Sequence, residues 1–255
     1  VELPQNQTIQ YKYGLLDTNS GEVFDIEYGE NRWALPNAEK NVLQIKADHF
    51  FKFKSFEMYH AAGVAVPVFA LRTENGFGVG EFPDIKNLAD WAAKTNLSVL
   101  QILPINDATA NCTWTDSYPY AAISVYALHP QYLSIEKLEY SLSKDLMKDF
   151  KAEKAALNEL SLIDYEQMIS GKWKFIKSIF ETNKDQILKD RNFKKFIKEN
   201  EEWLIPYAAF CVLRDKYKTP NFNDWKTHKK YIAGKIAPFF TAKSKDFESS
   251  MLHAW

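Results

Sequence analysis

The sequence predicts an α/β protein: an all-β segment, then a parallel β-α-β unit, then a long helical remainder. Three observations carry this. Residues 64–71 (VAVPVFAL) and 98–105 (SVLQILPI) are continuous apolar runs of strand length, the pattern of parallel strands covered on both faces. Between them Ile85, Leu88, Ala89 and Ala92 recur at helical spacing, so a right-handed helical crossover is expected to join the strands. From Glu136 onward the apolar period is helical to the end of the chain.

Taken in order, residues 1–36 hold two strand-like stretches, 8–16 (TIQYKYGLL) and 23–28 (VFDIEY), joined by the turn formers DTNSG at 17–21. One hairpin is expected, with no further strand before the pattern changes. A lone hairpin is marginal in water, so these residues are expected to belong to a larger sheet that begins before them. Residues 37–62 read as a connector, in which the aromatic-basic stretch FFKFKSF at 50–56 lays lysine stems on apolar surface. Residues 63–135 hold the first βα units. Pro67 marks an irregular position in the first strand, Pro83 suits the first turn of the helix, and Asn96 suits its stop. Residues 136–255 read as a helical subdomain. Tyr165, Met168, Ile169, Trp173, Ile176 and Phe180 form one stripe, and Leu204, Ala208, Cys211 and Leu213 another. The mixed-charge stretches 151–154 and 194–202 read as solvated helix faces. The terminal LHAW at 252–255 carries no helix stop, so the sequence is expected to break off within an element.

Composition limits the function. The 255 residues are 46% hydrophobic and 25% charged, which excludes a disordered chain. A net charge of -1 supplies no field toward nucleic acid or an anionic membrane. The longest apolar runs, such as 63–70, fall far short of the roughly 20 residues that span a bilayer. Cys112 and Cys211 are too few for a disulfide framework, which favours a cytoplasmic location. His49, His60, His129, His228 and His253 show no zinc-ligand spacing, so neither a metal nor another cofactor is expected. No nucleophile elbow or P-loop occurs.

In a parallel α/β domain ligands meet the loops after the strands. The first such loop carries NGFGVG at 75–80, which with Asp107 as a ribose-binding acid invites a dinucleotide reading. Its glycines are spaced G-x-G-x-G and stand away from the strand, so close backbone packing is the better account. The second loop, DATANCTWTDSYPY at 107–120, mixes rings, hydroxyls, amides and carboxylates, the combination that recognises sugars. The competing reading is an ordinary loop with Tyr118 and Tyr120 packed inward. Cys112 has no nearby His for thiol catalysis.

The residues VAVPVFALRTENGFGVGEFPD (64–84), LPIND (103–107) and DSYPYAAISVYALHP (116–130) resemble the opening of the 4-α-glucanotransferases, the amylomaltase or disproportionating-enzyme family, glycoside hydrolase family 77. The likeness is to the cytosolic subgroup with starch-binding domains ahead of the barrel. It implies the first part of a TIM (β/α)8 barrel with a large helical subdomain, preceded by the C-terminal strands of a β-sandwich starch-binding domain. It further implies retaining transfer of α-1,4-glucan units from maltose or maltooligosaccharides to a starch- or glycogen-like glucan, without a cofactor. Tyr120 matches the family tyrosine beside the cleavage-site sugar; Asp116, Ser117, Ser124 and Asp107 are the other implied substrate-binding residues. Tyr118 lengthens this motif by one residue, which bears on Ser117. The family's catalytic carboxylates lie on later barrel strands, and none is assigned in this chain. The chain is therefore expected to be an internal piece that leaves maltotriose unchanged by itself.

Tyr11, Lys12, Tyr13, Glu27, Gly29, Asn31 and Arg32 resemble the final strands of a family 20 starch-binding domain. That implies starch contacts at Lys12 and Asn31, with Ile26 where the family places a stacking Trp. Two other readings stay open: a non-catalytic α-glucan-binding fragment and a nucleotide-dependent oxidoreductase.

Overall fold

A computed structural model describes residues 7–36, 44–52 and 61–255, and the chain falls into two units, Val1–Ala61 and Ala62–Trp255. In the first unit four short strands, β1 (Ile9–Tyr11), β2 (Gly14–Leu16), β3 (Val23–Ile26) and β4 (Arg32–Ala34), form two antiparallel pairs, β2 with β3 and β1 with β4. The β2–β3 pair is the expected hairpin. Asp17 builds its turn: its carbonyl accepts the Gly21 N–H (2.8 Å) and its carboxylate the Asn19 N–H (2.8 Å), while Gly21 supplies the φ of 73° that other residues avoid. Strand β4 is a correction to the sequence reading, which placed no strand after the hairpin; three residues are too few for an alternation signal. Beneath β4, Arg32 donates to both Glu27 carboxylate oxygens (2.7 and 2.8 Å) and to the Phe50 carbonyl (2.5 Å). Of the connector 37–62, residues 37–43 and 53–60 lie outside the described residues.

In the second unit β5 (Gly63–Val66) and β6 (Val99–Ile102) pair in parallel, Gly63 opposite Val99 and Val66 opposite Ile102, with α1 (Phe82–Lys94) between them in sequence. Strand β5 is shorter than its apolar run because Pro67 has no N–H for the ladder, and Val68–Ala70 turn into a 3-10 segment. Helix α1 begins where Asp84 accepts the Glu81 N–H (2.8 Å), has Pro83 in its first turn, and gives way to Asn96 in a left-handed conformation with φ 57°. The strands are not covered on both faces as expected: Val99 and Ile102 remain 44% and 36% exposed.

The core lies instead among the helices α2 (Lys144–Glu159), α3 (Tyr165–Lys189), α4 (Arg191–Glu199), α5 (Glu201–Tyr217), α6 (Ala233–Ile236) and α7 (Phe247–Ala254). Ser143, Asp164 and Asp190 cap α2, α3 and α4 with side-chain acceptors. The α3 stripe is buried except for half-buried Trp173; its residues up to Ile176 pack with Phe77 and Phe150, and Phe180 packs with Leu204 and Ala208. Leu204, Ala208, Cys211 and Leu213 of α5 are buried as read. A buried lysine crosses this unit. Lys172 of α3 donates to Glu81 (2.7 Å) and to the carbonyls of Gln131 (2.5 Å) and Leu133 (2.8 Å), using all three of its donors.

Candidate functional site

The loop after β6 is closed by backbone pairing between its two stems: Asn106 bridges Leu128, and the His129 N–H donates to the Ile105 carbonyl (2.9 Å). Asp107 is the hub inside it. Its N–H donates to Ala127 O (2.8 Å) and its carbonyl accepts from Ile123 N (2.7 Å); one carboxylate oxygen accepts from Thr109 N (2.9 Å) and the other from the Tyr207 hydroxyl (2.6 Å). Asp116 performs the same service for the first half of the loop, where a single oxygen accepts the N–H groups of Ala110 (2.9 Å), Asn111 (2.8 Å) and Cys112 (2.7 Å). A carboxylate is the side chain suited to gather three converging donors. Ser117 donates to the Trp114 carbonyl (2.7 Å), and Ser124 accepts from Tyr126 N (3.2 Å) and Ala127 N (3.0 Å).

The five implied substrate-binding residues thus share one loop but take different places. Asp107 and Asp116 are buried and form its frame; Ser117 and Ser124 hold its turns. Tyr120 alone among them presents a large surface, 62% exposed, with Tyr118 beside it at 60% and their ring centroids 5.5 Å apart. The inward-packed alternative for these tyrosines is therefore set aside. Trp114, one of the loop's rings but not named among the implied site residues, is 70% exposed on the same loop.

Helices α3 and α5 support this frame. Arg214 donates to the Thr109 carbonyl (2.6 Å) and is paired with Asp215 (2.8 Å), which also meets His253 (3.1 Å). Burial pushes the Asp215 carboxyl upward, but His253 and Arg214 hold it below its ordinary range. Burial lowers the pKa of His129, whose Nδ1 accepts from Gln131 N (3.1 Å); the neutral ring then carries its proton on Nε2, toward the Tyr165 oxygen (3.2 Å). Burial also raises both thiols, Cys211 to about 12, so neither is a thiolate nucleophile at neutral pH. A cavity of about 800 Å³ lies between residues 110–112 and these helices, edged by Glu166, Trp173, Lys177 and Arg214.

The glycine loop offers no room for a phosphate. Residues 76–81 are buried, and a Cβ would strike the Val68 carbonyl at Gly80 or Leu157 at Gly78. Close backbone packing, not a nucleotide, accounts for these glycines. In the first unit Lys12 donates to Gly29 O (2.7 Å), Asn31 to the Gln10 side chain (2.9 Å), and Ile26 is exposed. Trp33, which the sequence reading passed over, is 65% exposed with the Lys46 ammonium 4.9 Å from its ring. Among the described residues no three His, Cys, Asp or Glu converge as metal ligands, and no helix is long and apolar enough to cross a membrane; His60 lies outside them.

Comparison with known proteins places the chain in a family. A family model described as 4-alpha-glucanotransferase, glycoside hydrolase family 77, matches residues 66–255. A 4-alpha-glucanotransferase of Oryza sativa subsp. japonica is 36% identical over 89% of this chain and 24% of its own length, and one of Chlamydia muridarum is 37% identical over 65% of this chain and 31% of its own. The chain therefore spans 24% to 31% of the length of these relatives. In fold it is similar to the amylomaltase of Corynebacterium glutamicum, with a TM-score of 0.58 over 76% of this chain and 26% of that one at 21% identity. A family match across three-quarters of the sequence, including α1, β6 and the Asp107–Tyr120 loop, makes this chain a member of the 4-alpha-glucanotransferase family, glycoside hydrolase family 77.

Proposed function

We propose that the protein containing this chain transfers α-1,4-glucan units from maltose or maltooligosaccharides to a starch- or glycogen-like acceptor by a retaining double displacement. The observation that carries the reading is the loop after β6, where Trp114, Tyr118 and Tyr120 stand exposed on a frame pinned by two buried carboxylates. Exposed rings cover the apolar faces of glucose, and a rigid frame keeps them in place without an ordering cost on binding. Retaining transfer needs a nucleophile and an acid/base carboxyl about 5 Å apart. Asp107 does not suit those roles, since both its oxygens are taken by donors of the protein itself, and Asp116 is buried with one oxygen holding three backbone N–H groups. The reacting pair belongs on barrel strands other than β5 and β6. Residues 1–255 thus contribute substrate binding rather than chemistry, which keeps a non-catalytic glucan-binding role as the second reading for this stretch alone.

The first unit is proposed as part of a starch-binding domain, with Lys12 and Asn31 as contacts and a cytoplasmic setting for the whole protein. The test is incubation of the full-length protein with maltotriose. Glucose together with maltopentaose and longer products is expected; an unchanged trisaccharide overturns the assignment.

A further inference from the structure

We propose that helix α5 sets the position of the sugar-facing loop, with Tyr207 as the positioning residue. The inference rests on the reading that this loop meets the glucan.

Three side chains of α5 grip the loop. Trp203 stacks on Tyr126 (centroids 5.3 Å apart, planes at 22°), the Tyr207 hydroxyl donates to Asp107 (2.6 Å), and Arg214 donates to the Thr109 carbonyl (2.6 Å). At about 100° per residue these positions fall within roughly 40° of one another around the helix, so a single face makes all three contacts. The gripped residues lie on both sides of Tyr120 in sequence. They are also the points from which the loop is braced, because Asp107 bonds Thr109, Ile123 and Ala127 in turn. The Tyr207 grip is short, charge-assisted through its acceptor and ends on the buried Asp107 carboxylate that braces the loop, while the tyrosine itself is part-buried. Removing that hydroxyl while keeping the ring leaves an Asp107 oxygen without its donor, and the loop must move to find another. Displacements near 1 Å at a positioned group are enough to change rates by up to about 100-fold.

The consequence concerns which nucleophile completes the reaction. In the second half of a retaining transfer the bond from the anomeric carbon to the enzyme carboxylate breaks. A bond to the acceptor hydroxyl oxygen forms, and the acceptor proton goes to the acid/base carboxylate. Water can replace the acceptor in the same step. A loop held in place favours the sugar acceptor; a displaced loop yields more hydrolysis. Transfer leaves the number of reducing ends unchanged, whereas each hydrolysis adds one.

The experiment uses the full-length enzyme with maltotriose and compares the wild type with Tyr207→Phe, Arg214→Lys and Tyr120→Ala. Reducing ends formed per transfer event and KM are measured; both are independent of the fraction of molecules folded, so a merely structural role would not move them. Tyr207→Phe is expected to raise KM about 3- to 10-fold and the hydrolysis-to-transfer ratio about 3-fold or more, in the same direction as Tyr120→Ala. Arg214→Lys gives the same readout should the tyrosine variant yield too little soluble protein. If Tyr120→Ala moves both quantities while the α5 variants change only the amount of active enzyme, the positioning role is overturned and the loop reading stands. If Tyr120→Ala moves neither, the loop is not at the acceptor and both fall.

Discussion

Tyr120 is the residue on which the loop assignment is most exposed to test. Its ring is open to solvent and its partner Tyr118 leans against it at 56°. In the full-length enzyme Tyr120→Phe is expected to keep the ring face and lose about 10-fold in kcat, and Tyr120→Ala to raise KM as well, as read from steady-state maltotriose kinetics. Unaltered kinetics in both would remove the residue from the site. The motif around Tyr120 is legible in the sequence because consecutive residues carry it. The work of Asp107 and Asp116 is not: an acid in a loop rich in hydroxyls reads as a sugar ligand until the N–H groups that claim its oxygens are seen. Lys172 is hidden for a related reason, since an isolated lysine in a helix reads as solvated, yet this one is fully buried against Glu81.

At the scale of elements, the Lys172 ammonium joins three pieces: α3, the start of α1 and the turn at Pro130–Tyr132. Burial lowers its pKa while Glu81 opposes the shift. Lys172→Met should cost about 3–5 kcal/mol in urea unfolding, because Glu81 and two carbonyls lose their donor together, and adding Glu81→Gln should recover part of the loss. A midpoint within error of the wild type would show that water replaces the ammonium. In the first unit the hydrogen bonds from Arg32 hold the Glu27 carboxyl at about 2, down from 4.5. A carboxyl lowered on folding stabilises above its unfolded value, so this contribution is complete above pH 4.5 and disappears as pH falls toward 2. The indole N–H signal of Trp33, next to Arg32 in β4, should report unfolding of the strands across that range, and Glu27→Gln should flatten the dependence. Helix α1, with its proline and its stop, was readable because local chemistry sets helix ends. Strand β4 was not, since its three residues are placed by β1 across the pair.

For the whole molecule, the parallel pair β5–β6 retains exposed apolar surface at Val99 and Ile102. Patches of this kind bind partners or dyes. The 255-residue chain should therefore enhance the fluorescence of an anilinonaphthalene sulfonate, and Val99→Thr with Ile102→Thr should reduce it by about half. Equal fluorescence in the variant would place the dye among the helices instead.

What the sequence determined by itself was whatever rests on neighbours in the chain: the β-α-β order, the stripes of α3 and α5, the turn at Asp17, and the run of residues around Tyr120 that marks the family. What only the tertiary structure decided was which polar groups face a ligand and which hold the frame. Asp107 and Tyr207 stand 100 positions apart, and Glu81 and Lys172 stand 91 apart. A hydrogen bond is satisfied by whichever donor the fold brings within about 3 Å, and no local pattern records that choice.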